Sequence, residues 1–306
     1  MPVHSDKGGL FRSLFEGGVF CIIDLEMVFM SKKVKKLLAV LLSIVLVLAV
    51  IIIPQVASKT ISSNLSVAKM VGKAPKFAAH RGLSALCPQN TVPAFQSAAD
   101  EGFYAFEFDI HTTSDGKWVV IHNDTVDDMT DGTGDVSSFT LDEIKQLNID
   151  NGNGIEDYSE LKIPTLEEAL SVCDGSDIIP IIEIKSCDTK YFPELLISLE
   201  QHGLIEKAVI ISFELDYLKE LRELSPDIEM MYLVGKPTKE AVDMCIENGI
   251  DGLDFYGLNV IPGAKAVKYA KEKGLKLAAW TIDNTVLADI LTAAGVELIT
   301  TNRILP

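Results

Sequence analysis

The chain has 306 residues, 48% hydrophobic and 23% charged, a balance that supplies a sizeable core and excludes global disorder. Its formal charge of −17 is unevenly placed: residues 1–58 hold six Lys/Arg and four acids, which leaves 21 bases against 40 acids, a net −19, in the rest. So acidic a body repels phosphate backbones and argues against nucleic acid as a partner.

At the amino end, Lys32-Lys33-Val34-Lys35-Lys36 leads into residues 37–53, where only Ser43 is polar, and no charge follows until Lys59. As a helix, 37–53 spans about 25 Å and 37–58 about 33 Å, against a hydrocarbon core of about 30 Å. The segment reads as a transmembrane or signal-anchor helix, or as a signal peptide cleaved near Val56-Ala57-Ser58. The lysines predict a cytoplasmic amino end, residues 1–36, and an outward-facing body. The protein is therefore expected at the cell membrane as a single-pass protein, or secreted if the signal is cleaved. Met30 directly precedes Ser31-Lys32-Lys33, so residues 1–29 read as an upstream extension, and 54–76 as a tether.

From residue 77 onward, strand-length apolar runs alternate with helical periods. Strands are expected at 77–80, 105–110, 118–122, 178–184, 208–213, 229–234, 250–255, 276–281 and 297–300. Helices are expected at 91–101, 165–173, 191–202, 214–224, 238–248, 262–273 and 284–294. Several helices end at a glycine with the next strand close behind: Gly102, Gly203, Gly249, Gly274 and Gly295. The fold class is α/β, and some 230 residues of β-then-α repetition suit a (β/α)8 TIM barrel over 77–306. A doubly wound sheet is the alternative, because periodicity cannot show closure.

Two places break the rhythm. Residues 111–117 are too few for a crossover helix, and Asp115-Gly116 suits a two-residue hairpin turn. That turn would pair 114 with 117 and set His122 opposite Asp109, with Glu107 on the same face. Residues 123–163, rich in Asp, Asn, Gly and Thr, are too long for an ordinary barrel loop and form an insertion.

Polar residues at strand ends matter most in a barrel, whose active sites gather at the carboxyl ends of the strands. Those candidates are His80 and Arg81 after the first strand, Glu107 and Asp109 on the second, His122 after its hairpin partner, and Glu183 and Lys185 on the next. Acids inside apolar strands are costly unless paired or metal-bound. Two carboxylates about 4 Å apart repel by about 4 kcal/mol at an effective dielectric near 20. A divalent cation removes that repulsion, and oxygen ligands favour Ca²⁺ or Mg²⁺ over Zn²⁺. The five cysteines, Cys21, Cys87, Cys173, Cys187 and Cys245, form no CxxC pair, and their odd number argues against a disulfide framework.

His80-Arg81-Gly82, Pro88-Gln89-Asn90-Thr91, Glu107-Phe108-Asp109, Thr113-Ser114-Asp115-Gly116 and Val119-Val120-Ile121-His122 resemble the ordered signature of glycerophosphodiester phosphodiesterases. That signature runs H-R-G, P-E-N-T, E-x-D, T-x-D-G and V-V-x-H-D. Pro164-Thr165-Leu166-Glu167-Glu168, Glu183-x-Lys185, Ala279-Trp280-Thr281 and Thr300-Thr301-Asn302 are similar to later family elements. The resemblance implies a barrel of the phosphatidylinositol phospholipase C type with a small inserted subdomain, acting as a metal-dependent phosphodiesterase. By that resemblance Glu107, Asp109 and Glu183 would bind the cation, and His80 and His122 would be the acid/base pair. Arg81 and Lys185 would hold the phosphate, while Gln89, Asn90 and Trp280 would line the pocket. Glycerol's own hydroxyl or water would attack, yielding glycerol phosphate and an alcohol. Partners implied are a small phosphodiester or a lysolipid, with the membrane reached through the amino-terminal helix.

Three departures stand out. Gln89 replaces the family's Glu, an extra Asn123 precedes the expected Asp, and Asp128 sits where related sequences carry Arg. Rival readings are a phospholipase C- or lysophospholipase D-like enzyme on lipid or cell-wall substrates, and a surface-anchored binding protein without turnover.

Overall fold

The computed structural model describes residues 75–303. The expected amino-terminal parts, 1–36, 37–53 and nearly all of 54–76, lie outside the described residues. Among the described residues no helix is long and apolar enough to cross a membrane.

The chain runs β1 (Lys76–Ala79), α1 (Val92–Asp100), β2 (Ala105–Thr112), β3 (Trp118–Val120), α2 (Leu141–Ile144), α3 (Leu166–Leu170) and β4 (Ile179–Ser186). It continues α4 (Phe192–Gln201), β5 (Val209–Ser212), α5 (Leu215–Leu224), β6 (Glu229–Val234), α6 (Lys239–Glu247) and β7 (Gly252–Tyr256). It ends with α7 (Ala264–Glu272), β8 (Lys276–Trp280), α8 (Thr285–Ala294) and β9 (Leu298–Thr301). Each strand is parallel to the next around β1-β2-β4-β5-β6-β7-β8-β9, and β1 pairs with both β2 and β9. That double pairing closes an eight-stranded barrel and excludes the doubly wound sheet, which would leave β1 and β9 unpaired with each other.

The two faces of each strand have different work. Outward-facing Phe106, Phe108, Ile110, Ile182 and Ile184 pack beneath the helices in the main core. Phe95 of α1 stacks on Phe106 with ring centroids 4.8 Å apart. Inward-facing Ala78, Ala105, Ile179, Ile181, Val209, Ile211, Met231, Leu233 and Ala278 fill the barrel interior. Strand alternation then carries Glu107 and Asp109 above Ala105, and Glu183 and Lys185 above Ile181, toward the carboxyl mouth. Threonine or asparagine caps start several helices: Thr91 for α1, Thr165 for α3, Thr238 for α6 and Asn284 for α8.

The hairpin departs from expectation by one residue. Ile110 pairs with Val120, His111 with Val119 and Thr112 with Trp118, so the turn is Ser114-Asp115-Gly116 rather than Asp115-Gly116 alone. The Thr113 N–H donates to the Lys117 carbonyl at 2.9 Å. Asp115 is drawn outward, accepting from the Thr113 hydroxyl at 2.6 Å and the Leu141 N–H at 3.0 Å. Gly116 takes a left-handed φ of 75°, as a three-residue hairpin loop requires. A Cβ there would also lie 2.1 Å from the Tyr191 ring. With this register Asp109 lies beside Ile121, not His122, and the Ile121 N–H donates to the Asp109 carbonyl at 3.1 Å. His122 therefore reaches the site from beyond the end of β3.

The insertion 123–163 is ordered around its own small core of Val126, Met129, Val136, Ile144, Ile149 and Ile163, which abuts Val119 and Ile121. It contains α2, whose Thr140–Glu143 capping box satisfies both ends of the first turn.

Candidate active site

Glu107, Asp109 and Glu183 meet at the barrel mouth because β2 and β4 are neighbours, with Asp109 directly alongside Glu183. One carboxylate oxygen from each lies within 4.8 Å of the others, and among the described residues this is the one such group of three. Glu107 and Asp109 are 3% and 1% exposed, and Glu183 is 12% exposed. Burial, reinforced by the neighbouring Asp109 and Glu183 charges, pushes the Glu107 carboxyl well above its ordinary range. Burial and Asp109 push Glu183 up to about 7. Burial would raise Asp109 as well, but His122, Arg81, Lys185 and an Asn90 hydrogen bond together hold it below the usual value. Its Oδ1 is buried without a hydrogen-bond partner. Three crowded acceptors, two of them reluctant to ionise and one oxygen unsatisfied, are what a divalent cation would relieve.

The cationic residues stand around this trio. Lys185 Nζ is 2.8 Å from Glu183 Oε1, 3.8 Å from Asp109 Oδ1 and 3.4 Å from His122 Nε2. Burial opposes its charge, yet Glu183 and Asp109 outweigh it and raise the Lys185 pKa. Arg81 adopts a left-handed φ of 56°, which turns its backbone N–H to Glu107 Oε2 at 2.9 Å. Its side chain lies 3.5 Å from Asp109 through Nε and donates to Gln89 Oε1 at 2.7 Å. Buried Asn90 donates to Asp109 Oδ2 at 2.8 Å and accepts from the Asp109 N–H at 3.3 Å. Gln89 and Asn90 thus support Arg81 and Asp109.

The two histidines flank the trio. His80 Nε2 is 4.0 Å from Glu107 Oε2, and burial together with the Arg81 charge pulls the His80 pKa down to about 4. Burial also lowers His122, with Asp109 working in the opposite direction. Both rings are therefore held toward the neutral form, as a proton acceptor requires. Trp280 sits at the mouth, edge-on to Phe213 at 5.8 Å and tilted against Tyr256 at 5.4 Å.

Several residues at the site escaped the sequence reading. Asp254 on β7 is 2% exposed with Oδ1 unpartnered, and burial and Glu183 raise its pKa well above the ordinary value. A lone Asp in an apolar strand was the available signal. His111, buried at the hairpin, donates from Nε2 to the His122 carbonyl at 3.3 Å and lies 3.8 Å from Asp124 through Nδ1. Nothing in the sequence separates it from a connector residue. Phe213 and Tyr256 directly follow or end strands, yet only the closed barrel brings them to Trp280.

The sequence pattern of the Glycerophosphoryl diester phosphodiesterase family matches residues 80–305. A glycerophosphodiester phosphodiesterase of Caldanaerobacter subterraneus subsp. tengcongensis is 34% identical over 227 residues, covering 73% of this chain and 92% of that protein. One from Bacillus subtilis is 30% identical over 249 residues, covering 73% and 82%. An Oleispira antarctica phosphodiesterase, solved in complex with the product sn-glycerol-3-phosphate, superposes with a TM-score of 0.69 at 26% identity, covering 78% of this chain and 96% of that one. A glycerophosphodiester phosphodiesterase structure from Parabacteroides distasonis gives 0.65 at 31% identity, covering 76% and 94%. The ordered motifs, the closed barrel and the carboxylate trio agree with these likenesses: the chain belongs to the glycerophosphodiester phosphodiesterase family.

Proposed function

We propose that this protein hydrolyses glycerophosphodiesters to glycerol 3-phosphate and an alcohol, using one divalent cation, Ca²⁺ or Mg²⁺. The observation that carries the reading is the trio Glu107, Asp109 and Glu183 set between two imidazoles and two cations, in a chain of this family. The three carboxylates would hold the cation, which when bound supplies Lewis-acid stabilisation of charge on the phosphoryl oxygens. Oxygen-only donors suit a hard cation.

The chain's own residues supply the rest. Arg81 and Lys185 bind the anionic diester, and both face the trio rather than solvent. One imidazole removes the proton from the attacking hydroxyl, and the other protonates the departing alkoxide. Trp280, with Phe213 and Tyr256, offers an apolar wall for the non-phosphate part of the substrate.

Chelation is expected to abolish hydrolysis of a glycerophosphodiester panel. Alanine at Glu107, Asp109 or Glu183 should lose metal and activity together. Alanine at His80 or His122 should retain metal and slow turnover by about 10²–10⁴. Histidine variants that lose the metal would make the imidazoles ligands; activity unchanged by chelator would overturn the metal assignment.

The same reading places the barrel outside the cell, anchored or released after residues 37–53. What supports it is the lysine cluster followed by an uncharged stretch. Protease added to intact cells should digest the barrel, and full protection would contradict this topology.

A further inference from the structure

Each histidine of the pair ends in the same three-residue chain, although the two chains come from unrelated parts of the sequence. His80 Nδ1 lies 2.7 Å from Asn302 Oδ1, and Asn302 Nδ2 donates to Asp283 Oδ2 at 2.7 Å. His122 Nδ1 lies 2.7 Å from Asn123 Oδ1, and Asn123 Nδ2 donates to Asp128 Oδ2 at 2.5 Å. A carboxylate accepts and cannot donate, so each aspartate requires the amide's NH₂ on its own side. That leaves the amide oxygen facing the imidazole, and two acceptors cannot share a hydrogen bond. Nδ1 must therefore carry the proton. The opposite end of His122 agrees independently: its Nε2 faces the Lys185 ammonium at 3.4 Å, a donor that needs a lone pair.

We propose that Asn302 and Asn123 are positioning residues that keep Nδ1 of His80 and His122 a permanent donor, so that only Nε2 exchanges protons in the reaction. Both the neutral Nδ1–H ring and the imidazolium satisfy this bond, while the neutral Nε2–H ring breaks it. The attacking hydroxyl's proton then passes to Nε2 of one ring as its O–H bond breaks. The other ring enters the reaction as the imidazolium, protonated from solvent at Nε2. Its Nε2–H bond breaks as the departing oxygen takes that proton, leaving the neutral Nδ1–H ring, and neither ring changes partner at Nδ1. The inference rests on the reading of the two histidines as the acid/base pair.

The same geometry explains two departures from the family pattern as one. A neutral amide directly after His122 needs an acceptor on its far side, and Asp128 provides it. An arginine at 128 would set donor against donor. The two relays differ in support: Asp283 also accepts from the Asn302 N–H at 2.8 Å and the Thr301 hydroxyl at 3.0 Å, whereas Asp128 is exposed.

The test uses the full-length chain with ¹⁵N-labelled histidine, at a pH where the rings are neutral, with resonances assigned through H80Q and H122Q. Protonated Nδ1 and unprotonated Nε2 are expected at both rings. An Nε2–H tautomer at either ring overturns the proposal for that ring. In kinetics, Asn302→Ala and Asn123→Ala should lower kcat about 10–100-fold, less than the roughly 10²–10⁴-fold worth of the acid or base itself, with KM little changed. Asn123→Asp and Asp128→Arg should each lower kcat, and the double variant should recover most of it. Simple additivity, or a change confined to KM, would contradict the relay. A wild-type chain without phosphodiesterase activity would refute the functional reading, while the spectra would still decide the tautomers.

Discussion

Arg81 shows how one backbone angle can organise a site. Its left-handed φ of 56° turns the N–H toward Glu107 and leaves the guanidinium between Asp109 and Gln89. Gln89, a departure from the family pattern, keeps the acceptor oxygen that Arg81 needs but adds no charge. A glutamate there would keep the same acceptor, so Gln89→Glu is expected to remain active with kcat close to wild type. Gln89→Ala removes a hydrogen bond to a charged group, worth about 1.5–3 kcal/mol. It should raise KM for a phosphodiester by roughly tenfold or more, measured by steady-state kinetics. A kcat loss without a KM change would mean that Gln89 serves the chemical step instead.

At the scale of elements, helix α4 is tied to its neighbour by its cap. His202 closes α4 and its ring reaches Asp174 at 2.9 Å and Glu167 of α3 at 3.0 Å. Burial pulls the ring's pKa down, but the bonds and charges of Asp174 and Glu167 outweigh it, and the net direction is upward from 6.5. A cation at a helix carboxyl end also suits the helix dipole. Because the folded pKa lies above the unfolded one, the stabilisation is complete below about 6.5 and is lost as pH rises through the folded value. Urea midpoints of the wild type should fall across that window, and His202→Gln should flatten the dependence. An equal slope in both proteins would assign the pH response elsewhere.

Over the whole molecule, closure of the barrel depends on the shell between strands and helices. Phe95, Phe106 and Phe108 form a continuous aromatic block at 4.8–5.6 Å, with all three fully buried. Phe106→Ala should cost about 3–5 kcal/mol and lower Tm by roughly 10 °C, measured by calorimetry. The same block backs β2, the strand that carries Glu107 and Asp109. Metal affinity should therefore weaken along with stability. A large stability loss with unaltered metal affinity would show that pairing with β1 and β4, not the aromatic block, fixes β2 at the site.

Much of this is legible in the sequence alone. Alternation of strand and helix periods and glycines after helices are local signals, set by backbone sterics and short-range hydrogen bonds. So is the shared face of Glu107 and Asp109, because side chains alternate every residue along a strand. Closure was not legible, since the pairing of β1 with β9 joins residues more than 200 positions apart. The hairpin register was misjudged because Asp-Gly reads as a two-residue turn in isolation. Contacts from Leu141 to Asp115 and the ring of Tyr191 over Gly116 decide the three-residue loop instead. The partners of the histidines were equally hidden: Asn302 meets His80 only when the last strand closes against the first. Sequence by itself determined which residues could do chemistry and on which strand faces they lie. Tertiary structure alone decided their distances, their burial and their protonation, because these depend on neighbours that the chain brings together from afar.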